Sequence, residues 1–346
     1  MNVVHICPTY FSLDSVMAGA ERYSYNLAKA MGKRIPTTLI TFGSEGFVRC
    51  ENGLTVKCFK SLVNINGNKA NPFSLGYLGD LLRADIIHCH QFMTVTTDLA
   101  IVLGAVTRKK VFVTDLAGNT DFSFSYHLPL WKGIRSLLLI SDFNRNLYRH
   151  LPLDARVIYG GVDASKFSPG FGDKIQRIVH VGRVLPHKGI HHLLDVLPEG
   201  VGLDIIGRPY DQDYYRKLQE LSRGKDVAFY MDCSDDDMIN YYRKAFATVL
   251  PATADSGFTT VLESFACGTP VIATRIGSLP ELIRDGVTGF LVPPHDPFAI
   301  REKIEILRTN PDLAKAMGSK AREEVLDRFV WDTVVDRCFE AYSSSN

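Results

Sequence analysis

Two carboxylates, Asp255 and Glu263, stand eight positions apart in the run PATADSGFTTVLESFACGTPVIATRIGSLPE, which extends from Pro251 to Glu281. The residues between them set the chemistry. A glycine-containing turn, Ser256-Gly257-Phe258, leads into a helix predicted from Thr259 to Ala266. The backbone N–H groups of Thr259 and Thr260 open that helix without intrahelical partners, and a helix start of this kind attracts an anion. Asp255 then lies just before the helix and Glu263 roughly two turns into it. Both groups only accept hydrogen bonds when ionised, so they can hold sugar hydroxyls beside a bound phosphate.

The elements that must position these groups are legible as short apolar runs alternating with longer amphipathic segments, the pattern of parallel strands joined by helices. Strands are predicted at Val3 to Cys7, Leu39 to Phe42, Ile86 to Cys89, Val111 to Thr114 and Leu137 to Ser141. After an interruption at Phe167-Ser168-Pro169-Gly170-Phe171-Gly172 they restart at Ile178 to Val181, Leu203 to Ile206, Val227 to Tyr230, Thr248 to Leu250 and Val271 to Ala273. Proline and two glycines make the interruption a linker. The expected organisation is an N-terminal domain over 1–166, a linker over 167–174, a second domain over 175–328 and a C-terminal helix over 329–346 that crosses back to the first domain. Both domains are expected to be doubly wound parallel sheets of the Rossmann type. Facing each other, they would turn the carboxyl ends of their strands to a shared central cleft, where open α/β sheets bind ligands.

Composition narrows the classes. A chain of 346 residues exceeds the usual size of one core, in keeping with two domains. Lys and Arg number 39 against 38 Asp and Glu, which gives no reason to propose nucleic acid as a partner. Seven cysteines form no C-x-x-C pair and are odd in number, so a disulfide framework is not expected and a reducing, cytoplasmic setting is. The start, MNVVHICPTYF, has no basic region ahead of a long apolar run, and no stretch approaches ~18 apolar residues. Membrane contact, where it occurs, is expected to be peripheral. The aromatic residues Phe122, Phe124, Tyr126 and Trp131 near Arg108, Lys109 and Lys110 offer an interfacial patch for it, although core packing is the commoner fate of such a cluster.

The Asp255 to Glu281 segment resembles the signature of retaining glycosyltransferases of family 4, two glutamates separated by seven residues and followed by G-x-P-V-x-A and G-G-x-P-E. Here the later parts read Gly268-Thr269-Pro270-Val271-Ile272-Ala273 and Gly277-Ser278-Leu279-Pro280-Glu281. The first carboxylate is Asp255, one methylene shorter than the family's glutamate. Val181-Gly182-Arg183-Val184-Leu185-Pro186-His187-Lys188-Gly189 is similar to the family's G-R-x4-K-G, and Ala18-Gly19-Ala20-Glu21-Arg22 to its G-G-A-E-R. Asp85-Ile86-Ile87-His88-Cys89-His90 resembles the D-x-x-H-x-H strand ending, and Gly207-Arg208-Pro209 the I-V-G-x-G loop. Ile158-Tyr159-Gly160-Gly161-Val162-Asp163 is similar to I-P-N-G-V-D, and Phe329-Val330-Trp331 to the F-x-W that opens the crossing helix. The histidine that the family often places in T-x-H or T-D-H-G is absent from Val113-Thr114-Asp115-Leu116-Ala117-Gly118. Asp115, Asn119 or His90 is left to stand in for it.

The resemblance implies the GT-B fold and a metal-independent, retaining transfer of a hexose from a nucleotide diphosphate to a saccharide or lipid-linked saccharide hydroxyl. Uridine diphosphate glucose is the first donor by family frequency. Arg183 and Lys188 are expected to clamp the diphosphate, Glu263 to receive the ribose, and Asp255 with Gly257, Phe258, Thr259 and Thr260 to hold the sugar and its phosphate. Gly19, Gly182 and Gly207 would let backbone approach the nucleotide sugar, and His90 would stand at the strand end near the reacting centre. Catalytic weight falls on Asp255, Arg183, Lys188 and His90. No metal or other cofactor is expected. His88 and His90 share a strand face, but no third ligand stands at a recognisable spacing. The D-x-D at Asp235-Asp236-Asp237 reads better as acids in a helix first turn capped by Ser234. A binding protein of the same fold without catalysis, and an epimerase or phosphorylase-like enzyme, are the alternatives.

Overall fold

The apolar opening of the chain forms β1 (Val3–Tyr10), followed by α1 (Gly19–Gly32) and β2 (Thr37–Gly43), which pairs with β1 in parallel. A hairpin comes next, β3 (Phe47–Glu51) and β4 (Leu54–Lys60), turning through Asn52 and Gly53, both at positive φ. A short ladder of β5 (Val63–Asn64) and β6 (Pro72–Phe73) precedes α2 (Leu78–Arg83) and β7 (Ile86–Cys89). Then come α3 (Val95–Thr107), β8 (Lys110–Val113), β9 (Ser136–Leu139), α4 (Asp142–Leu147) and β10 (Ala155–Val157). This is a computed structural model, and it describes residues 1–10, 19–116, 122–254 and 257–344.

The main sheet of this part runs β10-β9-β8-β7-β1-β2-β4-β3, parallel except at the β3 edge. Its middle strands are buried on both faces, as parallel sheets covered by helices must be, and all of β7 is buried. Side chains cap the helices where their backbone donors need partners: Thr94 accepts from the Thr97 N–H in α3 and Ser141 from the Asn144 N–H in α4.

The second sheet runs β13-β12-β11-β14-β15-β16, wholly parallel. Its strands and helices alternate: β11 (Ile175–Val181), α5 (Ile190–Val196), β12 (Gly202–Ile206), α6 (Gln212–Leu221), β13 (Val227–Tyr230) and α7 (Asp235–Lys244). They continue with β14 (Ala245–Leu250), α8 (Phe258–Ala266), β15 (Val271–Thr274), α9 (Leu279–Leu282), β16 (Gly289–Val292), α10 (Pro297–Thr309) and α11 (Pro311–Arg328). One apolar core joins Ile178, Leu203, Val249 and Ile272 of the sheet to Leu193, Ile304 and Met317 of the helices. Ser234 caps α7 by accepting from the Asp237 N–H at 3.1 Å, and Asp235 pairs with Lys166, so this D-x-D serves a helix start.

The chain divides into two units, Met1–Gly161 with Trp331–Asn346, and Val162–Val330. The last helix, α12 (Trp331–Ser344), belongs to the first unit. There Val334, Val335, Cys338 and Tyr342 share a core with Leu27 and Met31 of α1 and with Val3 and Phe112 of the sheet. The stretch 167–174 is part of the second unit. Arg322 donates to the Phe167 carbonyl at 2.7 Å, Arg243 to the Ser168 carbonyl at 2.7 Å, and Lys174 to Thr269 Oγ1 at 2.5 Å. Val162 and Val330, the residues at the two ends of the unit, pair with each other.

Candidate active site

In the second unit the loops at the carboxyl ends of β11, β12 and β14 are stitched together by backbone. Gly182 N–H donates to the Ile206 carbonyl and Val184 N–H to the Arg208 carbonyl, each at 3.0 Å. The Gly182 and Gly207 turns touch: a Cβ on Gly207, at φ 146°, would stand 1.9 Å from the Gly182 oxygen. Only glycine permits this approach, so the turn after β12 holds the β11 loop in place. Arg183 is exposed on that loop. Arg208 is an exposed cation paired with Asp232 at 2.7 Å.

The next turn, Pro186–Lys188, carries a lysine whose side chain is buried. Gly189, at φ 68°, ends it, and a Cβ there would lie 2.0 Å from the Pro251 oxygen. The His187 carbonyl accepts from the Thr253 N–H at 2.8 Å, which ties the lysine turn to the segment after β14. His180, on β11, was not singled out from the sequence. It bonds the Val249 carbonyl through Nδ1 at 2.9 Å, while its buried Nε2 has no partner among the described residues. Burial lowers its pKa to about 4 against a partial rise from Val249, and the Lys188 charge lowers it further. His180 is thus a neutral imidazole beside a cation.

Helix α8 begins after Gly257, which offers no side-chain cap. The first bond of the helix runs from Val261 N–H to the Gly257 carbonyl at 3.0 Å, leaving the Phe258, Thr259 and Thr260 N–H groups without intrahelical partners. Phe258, Thr259 and Thr260 are all half-buried. Thr260 Oγ1 lies 3.4 Å from the Val181 carbonyl and so joins the helix start to the end of β11. Glu263 is 5% exposed, and its Oε2 accepts from the Tyr242 hydroxyl at 3.1 Å. That hydroxyl also bonds Thr260, and burial beside the carboxylate raises the tyrosine's pKa well above its ordinary range. Asp255 and Ser256 lie outside the described residues.

The first unit places its expected residues differently. Gly19 opens α1 in an exposed position with open space where a Cβ would stand. His90 follows β7 at its carboxyl end, where its place in the run put it, and its ring is packed inside. It is 2% exposed, stacks on His88 and His5 with centroids 4.5 and 5.0 Å away, and bonds His5 Nδ1 through Nε2 at 2.8 Å. His5 stands opposite His88 in the β1–β7 ladder, so it is a third imidazole that spacing alone missed. Ligand atoms of the three lie within 4.8 Å of one another. Both nitrogens of His88 already bond hydroxyls, Tyr342 and Thr114, each at 2.7 Å. Burial holds all three imidazoles neutral, His5 down to about 3, with His88 and His90 lowered further by their neighbours. Asp115 is also internal, accepting from the Tyr148 hydroxyl at 2.7 Å and the Phe92 N–H. Asn119 lies outside the described residues.

Residues 162–324, most of the second unit, match the family model of glycosyl transferases group 1. The chain as a whole has the GT-B fold. It superposes on sucrose-phosphate synthase from Thermosynechococcus elongatus with a TM-score of 0.76 at 19% identity, covering 99% of this chain and 98% of that one. It superposes on Anabaena HepE, solved in complex with UDP and glucose, with a TM-score of 0.75 at 20% identity, covering 99% and 100%. Among curated relatives, a D-inositol 3-phosphate glycosyltransferase of Streptomyces bingchenggensis is 30% identical over 229 residues, 58% of this chain and 50% of that protein. The chain spans about half the length of the first such relatives.

Proposed function

We propose that this protein moves a hexose from a nucleotide diphosphate to a hydroxyl of a saccharide or lipid-linked saccharide, retaining the anomeric configuration and using no metal ion. Uridine diphosphate glucose is the first donor to try. The observation that carries the reading is the gathering, within one unit, of the Arg183 loop, the buried Lys188 and the start of α8 after Gly257, at the ends of β11 and β14. The reaction is placed in cytoplasm, peripheral to a membrane, and no described helix is long and apolar enough to cross a bilayer.

Cleaving a glycosyl phosphate bond moves negative charge onto the leaving diphosphate. Fixed positive groups aimed there stabilise the transition state more than the ground state. Arg183 supplies a forked donor, Lys188 a point charge, and α8 about half a unit of positive charge at its start. Lys188 is held where water screens it poorly, which strengthens its pull. His180, neutral beside it, adds no competing charge. Glu263, oriented by Tyr242, accepts ribose hydroxyls, and Asp255 accepts a hydroxyl of the sugar. Gly19, Gly182 and Gly207 let backbone come close to the ligand. His90 enters as a positioning group, since its buried ring is bonded to His5.

The test is nucleotide release by the purified protein from uridine, guanosine and adenosine diphosphate sugars, with a chelator present and the product's anomer read by NMR. Release from one donor with an α-linked product from an α-linked donor is expected. Release that stops with the chelator removes metal independence, an inverted product removes retention, and tight binding without release under any acceptor favours a non-catalytic binder.

A further inference from the structure

The first unit holds a second charged place, at the opposite end of its sheet from His90. Lys110 opens β8 and Arg135 immediately precedes β9, so both lie at the amino ends of their strands. With Arg108, Lys109 and Lys132 they line a cavity of about 360 Å³ whose lining contains no acidic residue. Among the described residues, Arg108, Lys109, Lys110 and Lys132 form no ion pair. Lys110 Nζ reaches only the Tyr342 carbonyl at 3.5 Å, and Lys132 Nζ lies 5.7 Å from the Trp131 ring centre. The carbonyls at the end of α3 attract cations, but they amount to about half a negative charge against the four positive ones of Arg108, Lys109, Lys110 and Lys132. The charge of these four side chains is left for an external anion.

The apolar surface beside it identifies that anion's setting. Val102 and Val106, four apart on α3, share a helix face and are 46% and 78% exposed, and Lys109 follows just past the left-handed Arg108 that ends the helix. A free phosphate gains nothing from exposed valines, whereas a bilayer surface takes cations and apolar side chains together. We propose that this face docks the protein on a membrane bearing anionic phospholipid, a lipid phosphate occupying the cavity and Val102 and Val106 entering the headgroup boundary. The site would hold the enzyme at the membrane by a surface remote from the carboxyl ends of its first sheet. It stands independently of the transfer reaction.

The experiment is co-sedimentation of the full chain with vesicles of phosphatidylcholine alone and of phosphatidylcholine with phosphatidylglycerol, with no sugar nucleotide present. Binding is expected only to the anionic vesicles, weakening as salt rises. Lys109→Ala and Lys132→Ala should each weaken it about fivefold. Val106→Asp should weaken it too. Melting temperature and nucleotide release of these variants should stay at the wild-type level, which separates this result from any failure of the transfer reading. Equal binding to neutral vesicles, no vesicle binding, or binding indifferent to all three substitutions would overturn the proposal. Full displacement from vesicles by millimolar inorganic phosphate would make the cavity a soluble-anion site and would also overturn it.

Discussion

Glu263 is a carboxylate almost wholly inside the protein, and the Tyr242 hydroxyl helps to keep it in a usable orientation while also bonding Thr260 at the start of α8. Removing that donor leaves a buried acceptor short of a partner, a loss of about 1–3 kcal/mol. Tyr242→Phe should therefore lower the melting temperature and raise the donor KM several-fold, with kcat changed much less. Steady-state kinetics across donor concentrations check this, and a fall in kcat with KM unchanged would contradict it. At this scale the sequence was informative wherever a proposed role rests on a local pattern. Arg183, Lys188, Gly257 and Glu263 stand within recognisable runs. Tyr242, His5 and His180 do not, because each gains its meaning from a partner brought in by another element: Glu263 from α8, His88 and His90 from β7, Val249 from β14.

Among the elements, the two glycine turns show how strands fix a loop. Gly207 sits at φ 146° against the Gly182 oxygen, so Gly207→Ala requires backbone movement in the Arg183 loop. A destabilisation of about 3 kcal/mol is expected, together with weaker nucleotide binding. Thermal melting and UDP titration of the variant read both, and wild-type values would show that the loop does not depend on the turn. The ten expected strands all occur, since buried parallel strands are continuous apolar runs. What escaped was the hairpin of β3 and β4, although Asn52-Gly53 is a strong hairpin turn, because β3 carries mostly exposed side chains and lacks an apolar run. The strands β10 and β16 also escaped, since β10 is three residues centred on Arg156 and β16 opens on Gly289. The placement of 167–174 was also beyond reach: Pro and Gly mark an irregular stretch, but the arginines that pin it come from α7 and α11.

For the whole molecule, two units with separate cores should respond separately. Three neutral imidazoles are buried in the first unit, His5, His88 and His90, and one in the second, His180. Their pKa values lie below the ordinary 6.5 in the folded chain. Below pH 6.5 the unfolded chain therefore binds more protons than the folded one, and stability falls with pH until the folded values are reached. Each such histidine removes about 2 kcal/mol by pH 5. Both tryptophans, Trp131 and Trp331, belong to the first unit, so their fluorescence reports on it alone. Its melting temperature should fall steeply between pH 7 and pH 5, and a flat profile would contradict the buried neutral cluster. Deleting Trp331–Asn346 removes the apolar side of α12 from the same core. Several buried side chains at about 1.5–3 kcal/mol each approach the stability of a whole domain. Calorimetry of the truncated chain should show the second unit's transition without the first's, whereas two unchanged transitions would mean that α12 adds little. The crossing itself was signalled by Phe329-Val330-Trp331. The helix partners, Leu27 and Met31 of α1, lie some three hundred positions away, and nothing local names them.

If the second unit holds a nucleotide diphosphate through Arg183, Lys188 and the start of α8, as proposed, calorimetric titration with UDP will show it. The wild-type chain should bind UDP with chelator present, and Arg183→Ala and Lys188→Ala should each weaken binding at least tenfold while leaving the melting profile in place. UDP binding equal in all three proteins, or absent from the folded wild-type chain, would overturn this assignment of the diphosphate site.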